Sequence, residues 1–358
     1  MTTVPAAALW PWPAGVATGI GSWPGADPAS AVAGVLDLLP DFPHLPELPA
    51  RGPWADLTGR GIAVMAGLTG ELSVSGWRLV PHAGSDALRA DSMLNHDLDA
   101  LEERLAGFHG PVKVQIVGPI TLAATVELGS GHAAVTDAGA RRDLAQALAE
   151  GVSEHLAQLR RRVPGADLVL QVDEPALPIC LAGELPTASG FSRVRAVAGD
   201  EAQRWLALVI ASGADAWPVV HCCDPRLPVG RVVAAGARGL SLDLTRTHRS
   251  LDDPIGAALE AGVGLLAGVV PAAPDASGIR SGPVELSDPS ASVDAVRRLW
   301  HRLGLAPERM SEQVVVTPCC GLAGSSPAEA AAAYRLASAG ARALHEDPLL
   351  DIERGVQA

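Results

Sequence analysis

The chain has 358 residues, 48% of them hydrophobic and 19% charged, a balance that folds and a length that allows one large barrel or two ordinary domains. A formal net charge of -13, with no local block of Lys and Arg, argues against nucleic acid and anionic membrane surfaces as partners. The N-terminal stretch MTTVPAAALWPWPAG lacks the basic and apolar regions of an export signal, and no apolar run reaches the length of a membrane span. The expected location is therefore cytoplasmic.

In chain order, the first predicted strands are Ala17 to Ser22 and Phe42 to Leu48. Leu94, Leu98, Leu101 and Leu105 then recur at helical spacing, and the run Val112 to Gly118 predicts a third strand. A second helical stripe, Leu144, Leu148, Val152, Leu156 and Leu159, precedes a strand at Leu168 to Asp173. Strands follow at Trp217 to Cys223, Gly239 to Leu244 and Val263 to Val270, and Pro271 to Pro283 reads as one long loop. Val293, Val296, Leu299, Trp300 and Leu303 form a helical stripe that stops at Gly304, suited to a left-handed C′ position. The last strand is Val314 to Pro318, and the Ala-rich stretch Ala328 to Leu344 predicts a closing helix.

Strands alternating with helices imply parallel βαβ construction, and eight of them suit a TIM (β/α)8 barrel, taken here as a single α/β domain over residues 1–358. A doubly wound open sheet is the alternative. No G-x-G-x-x-G or P-loop follows a strand, so nucleotide readings have little support.

The unusual residues gather at the C-terminal ends of predicted strands, the face on which a barrel carries its active site. The fifth strand ends in His221-Cys222-Cys223-Asp224, and alternation along an extended chain points His221 and Cys223 the same way. The eighth ends in Pro318-Cys319-Cys320-Gly321, bringing another thiol to that rim. Five cysteines, four of them in adjacent pairs, make a poor disulfide framework. Two thiols and an imidazole are instead a zinc set that leaves a position open for a reacting group.

These pieces together resemble the catalytic barrel of the cobalamin-independent methionine synthase family. The shared motifs are Thr18-Gly-Ile-Gly-Ser22-Trp-Pro24, Gly118-Pro-Ile-Thr121, Gln171-Val-Asp173-Glu174-Pro-Ala-Leu177, His221-x-Cys223 and Pro318-x-Cys320-Gly-Leu322. The resemblance implies a methyltransferase that binds Zn2+ through His221, Cys223 and Cys320, with Asp243 where the family has a Glu ligand. It also implies that Ile20 and Ser22 receive the carboxylate of homocysteine or methionine, and that Glu47 and Asp173 receive its ammonium. A zinc-bound thiol is deprotonated, so the metal would supply the nucleophile.

The resemblance is weaker where the family grips its folate donor. A Trp that would follow Thr121 is replaced by Leu-Ala-Ala-Thr-Val, Pro178 and Ile179 replace an acidic contact, and the seventh strand ends without the family's proton-donating His. The methyl donor is thus expected to be either a methyl-folate or a methyl-corrinoid protein, as in short single-barrel relatives. His132 and His248 read as surface residues. Competing readings are a transferase joining coenzyme M to an epoxide, disfavoured by the paired acids, and a non-catalytic zinc- or thiol-binding barrel.

Overall fold

The computed structural model describes residues 9–213, 215–272 and 288–349. Its strands are β1 (Thr69–Ser73), β2 (Gly76–Val80), β3 (Gly110–Val117), β4 (Val126–Glu127), β5 (Ala166–Asp173), β6 (Trp217–Cys222), β7 (Gly239–Asp243), β8 (Gly264–Val270) and β9 (Val314–Pro318). Six of them form one parallel sheet in the order β3-β5-β6-β7-β8-β9, a half-barrel covered by helices. These six coincide with predicted strands to within two residues at either end.

The other two predicted strands, Ala17 to Ser22 and Phe42 to Leu48, are corrected by the structure. They are extended segments joined by isolated parallel bridges, Ala17 to Val316 of β9, Ser22 to Glu47, and His44 to Lys113 of β3. Pro43 and Pro46 remove two N–H donors from the second segment, which leaves few bonds for a regular ladder. The bonds that remain are good ones: Thr18 N to Val316 O at 3.1 Å, Trp23 N to Glu47 O at 2.8 Å and Leu45 N to Lys113 O at 2.9 Å. The β1-β2 hairpin, with β4 beside it, was not anticipated, because its burial is patchy and its turn is only Val74 and Ser75.

Alternation along the parallel strands separates two apolar layers. Leu168, Leu170, Val172, Val220, Leu240 and Leu265 face outward into the helices, in the main core. Val169, Val219, Leu266 and Val315 face inward and pack with Trp10, Trp12, Phe42 and Trp217 into a separate plug. Trp12 stacks on Phe42 at 5.7 Å and meets Trp217 edge-on at 4.6 Å between ring centroids. Above this plug the inward positions turn polar: Lys113 and Gln115, Gln171 and Asp173, His221, Ser241 and Asp243, all buried.

The helices form where the leucine stripes predict them. Ala138–Arg162 is capped by Asp137, whose side chain accepts from Ala140 N, and it ends in Arg160, Arg161 and Arg162 beside its exposed carbonyls. Asp294–Leu303 stops at Gly304 with φ 66, and Pro327–Glu346 begins with a Ser326/Glu329 capping box. Most of the predicted loop Pro271 to Pro283 lies outside the described residues. No described helix is long and apolar enough to cross a membrane.

Candidate metal and amino-acid site

A cavity of about 570 Å³ opens at the C-terminal ends of the parallel strands. Ile20, Ser22, Glu47, Asp173, His221, Cys223 and Cys320 all line it, so seven of the eight residues singled out from the sequence meet in one place. Asp243 is the exception. It is buried at the end of β7 but does not line the cavity, and its Oδ1 accepts from Thr245 N at 3.0 Å and Thr245 Oγ1 at 2.6 Å.

The thiol side is built by the register of β6 and β7. His221 Nδ1 donates toward Ser241 O at 3.1 Å and Ser241 Oγ at 2.9 Å, which leaves Nε2 as the free face of the ring. Nε2 lies 3.2 Å from Cys223 Sγ. Cys320 is exposed as a residue, yet its thiol engages both partners. Its contact with Cys223, and then with His221, pulls it down to about 4, while the same contact pushes Cys223 far up. Burial opposes the charged form of His221, but Cys320 and Asp173 outweigh it and the net direction is upward.

Cys222 and Cys319 stay out of this cluster. Both are buried and burial pushes both thiols well up, with Cys222 Sγ accepting from Asp224 N at 3.4 Å. No three His, Cys, Asp or Glu side chains among the described residues are arranged to enclose an ion as they stand. The donor set itself does fit zinc: two soft sulfurs and one imidazole nitrogen in mutual contact, with the imidazole's second nitrogen fixed from behind.

The rest of the cavity wall is charged and closely packed, with Asp173 beside His221 in the β5-β6 register. Glu47 pairs with Arg60 Nε at 3.3 Å, and Arg60 continues to Asp97 at 2.7 Å, which also binds Arg51 at 2.7 Å. Burial pushes Glu47 up against the pull of Arg60 and Lys113. Burial also takes Asp173 up to about 7, with His221 and Lys113 opposing and Glu47 reinforcing. Gln171 Nε2 steadies Asp173 Oδ1 at 2.7 Å.

Between the acids and the thiols runs the main chain of Ile20, Gly21 and Ser22. Their three N–H groups donate to nothing among the described residues, although they lie in the cavity wall. Unpaired donors in such a place are a site for an anion. Glycine is needed here for space: a Cβ on Gly19 would lie 2.0 Å from Tyr334 Oη and 2.3 Å from His44 Nε2.

Several residues of this site escaped the sequence reading. Lys113, Gln115, Arg60 and Ser241 had drawn no attention, although Lys113 and Gln115 interrupt a buried apolar strand at alternate positions and so announce an inward polar row. Glu174 is structural. Its carboxylate accepts from Ile120 N and Thr121 N at 2.9 Å and from Thr121 Oγ1 at 2.6 Å, capping the helix Pro119–Thr125 from another strand. The stretches where the family's folate contacts were sought, Leu122 to Val126 and Pro178 to Ile179, do not line the cavity, and His132 and His248 are exposed.

No family model and no curated protein matches the chain by sequence. Among solved structures it is similar to a B12-independent methionine synthase from Shewanella sp. W3-18-1 in complex with selenomethionine. That match has a TM-score of 0.62 at 13% identity, covering 94% of this chain and 100% of the other. A GH5_18 protein from Streptomyces cattleya in complex with GlcNAc matches at a TM-score of 0.45 and 16% identity, over 93% of this chain and 81% of the other. At these identities the first likeness speaks for the fold alone.

Proposed function

We propose that this chain is a zinc-dependent methyltransferase that moves a methyl group onto the thiol of homocysteine to form methionine. One observation carries the reading: a single cavity holds unpaired N–H donors at Ile20, Gly21 and Ser22, buried acids at Glu47 and Asp173, and a thiol–imidazole cluster. These three parts answer the carboxylate, the ammonium and the sulfur of one small amino acid. The likeness to a methionine synthase fold supports the same reading, in which the bridged segments 17–22 and 42–48 would be two irregular strands of a single-domain (β/α)8 barrel.

His221, Cys223 and Cys320 would hold the metal. Asp243 has Oδ1 engaged by Thr245 and does not line the cavity, so three protein ligands and one open place are the favoured set, with Oδ2 the oxygen by which Asp243 would join them. Zinc bound there would supply a thiolate nucleophile at neutral pH by lowering the pKa of an incoming thiol.

The chain's own residues do the rest. Ser241 fixes the His221 ring with Nε2 toward the sulfurs. Glu47 and Asp173 take the substrate ammonium while the Ile20 to Ser22 main chain takes the carboxylate, so both ends of the amino acid are fixed and its sulfur is aimed. The sulfur lone pair then forms the S–CH3 bond, and the donor keeps the electron pair of the bond that breaks. The acids argue for an amino-acid thiol over coenzyme M, whose sulfonate would be repelled.

The deciding experiment combines metal analysis with a donor screen. The protein is expected to hold about one zinc per chain, to bind L-homocysteine, and to form methionine with either methyl-tetrahydrofolate or a methyl-corrinoid protein. Turnover that survives complete removal of zinc, or a loaded protein with no affinity for L-homocysteine, overturns the proposal.

A further inference from the structure

Lys113 sits inside the sheet on β3 with no exposure at all, an expensive place for an ammonium group. Its Nζ donates to Ile20 O at 2.7 Å and to Gln115 Oε1 at 3.2 Å. Gln171 Nε2 donates to the same Ile20 carbonyl at 2.8 Å, so that one oxygen is held from two strands at once. Gln115 also donates to Leu45 O at 2.5 Å, tying the segment that carries Glu47 into the same cluster. Burial pushes Lys113 down to about 7, with Asp173 and Glu47 pulling against it. The cluster thus holds the main chain of Ile20, the first of the three residues with unpaired N–H groups.

In a planar trans peptide the N–H points away from the C=O, so an Ile20 carbonyl held by Lys113 and Gln171 turns the Gly21 N–H the other way, and Gly21 lines the cavity. The geometry points to Lys113 as a positioning residue for the carboxylate end of the amino-acid site: it anchors the Ile20 carbonyl and so fixes the direction of the Gly21 N–H, the middle donor of the Ile20 to Ser22 main chain. When protonated, its ammonium also favours the incoming carboxylate and disfavours a cation lacking one. Lys113 thereby makes the site select a zwitterion over a simple amine. This inference rests on the proposed amino-acid site and adds a determinant of its specificity.

The test compares two ligands on zinc-loaded protein by titration calorimetry: L-methionine, and 3-(methylthio)propylamine, which is methionine without its carboxylate. Lys113→Met is expected to weaken L-methionine about tenfold or more and to leave the amine unchanged or tighter. A purely structural role would weaken both ligands in parallel, and that result, or an unchanged methionine affinity, overturns the assignment. Should Lys113→Met fail to fold, Lys113→Gln, which keeps a donor and drops the charge, is measured against the same two outcomes. Wild-type protein that binds neither ligand overturns the methyltransferase proposal together with this one. Wild-type protein that binds methionine, beside a Lys113 variant with no ligand-dependent loss, overturns the lysine assignment alone.

Discussion

His221 and Cys223 leave the end of β6, a strand paired on both sides by β5 and β7, whereas Ile20, Ser22 and Glu47 sit on segments held by single bridges. The first region takes its geometry from backbone register and needs only one side-chain support, Ser241. The second lacks a ladder and is held by side chains instead: Lys113, Gln115, Gln171, Arg60 and Tyr334 reach it from four different elements. Regular backbone and buried charge are thus two ways of fixing a binding group, and the chain uses one on each side of a single cavity. Buried charges are a weak source of net stability but a strong source of specificity when every partner is present.

The contrast predicts a hierarchy of damage. The largest effect falls on the thiol cluster, where no neighbour can substitute for a missing donor. Cys320→Ala is expected to lose stoichiometric zinc and to reduce turnover by roughly a hundredfold or more, with its melting temperature in the metal-free state close to that of the wild type. Metal content by mass spectrometry and methionine formation check both parts. A variant that keeps full zinc would remove Cys320 from the proposed ligand set.

Support from behind the cluster comes next. Ser241→Ala removes the hydroxyl 2.9 Å from His221 Nδ1 but leaves the Ser241 carbonyl in place. Zinc affinity should fall by about 10-fold, the lower end of the range for groups that orient a ligating histidine. Competition with a chelator measures it. The amino-acid end should not notice, so an equal loss of methionine affinity in zinc-saturated protein would break the separation of the two regions.

The same contrast explains what the sequence disclosed. The six strands of the sheet were legible because each is a short apolar run buried on both faces, and His221-x-Cys223 was legible because period-two alternation needs no tertiary information. The segments 17–22 and 42–48 read less cleanly: the first has Ile20 between Gly19 and Gly21, the second has Pro43 and Pro46, and both form isolated bridges in place of a ladder. At Asp243 the sequence offers a ligand position, and Thr245 two residues on adds a local side-chain turn that occupies its Oδ1. The link from Lys113 to the Ile20 carbonyl spans 93 positions and two strands, and no local pattern announces it.

The smallest effect separates packing from charge on the irregular side. His44 Nε2 meets Tyr334 Oη at 2.7 Å, joining the segment 42–48 to the closing helix, and burial holds His44 down to about 3, with Lys113 adding to the effect. In the folded chain this imidazole is neutral, while in the unfolded chain it titrates near 6.5. As pH falls below that value, the unfolded state takes up a proton that the folded state refuses, so His44 makes stability fall by at most about 1.4 kcal/mol per pH unit toward pH 3. Asp173 and Glu174, raised to about 7 by burial, act in the opposite sense, since their contribution is present at low pH and lost as pH rises through 7. Only a difference between variants therefore isolates the histidine. Tyr334→Phe should cost about 1 kcal/mol at pH 7.5 by urea unfolding, with zinc affinity untouched. His44→Gln should in addition flatten the acid side of the profile between pH 6.5 and 4.5. If its stability still falls with pH as steeply as that of the wild type, the neutral buried imidazole is not the source of the acid sensitivity, and the irregular segment owes its position to packing against Tyr334 and Trp23, whose rings lie 4.9 Å apart.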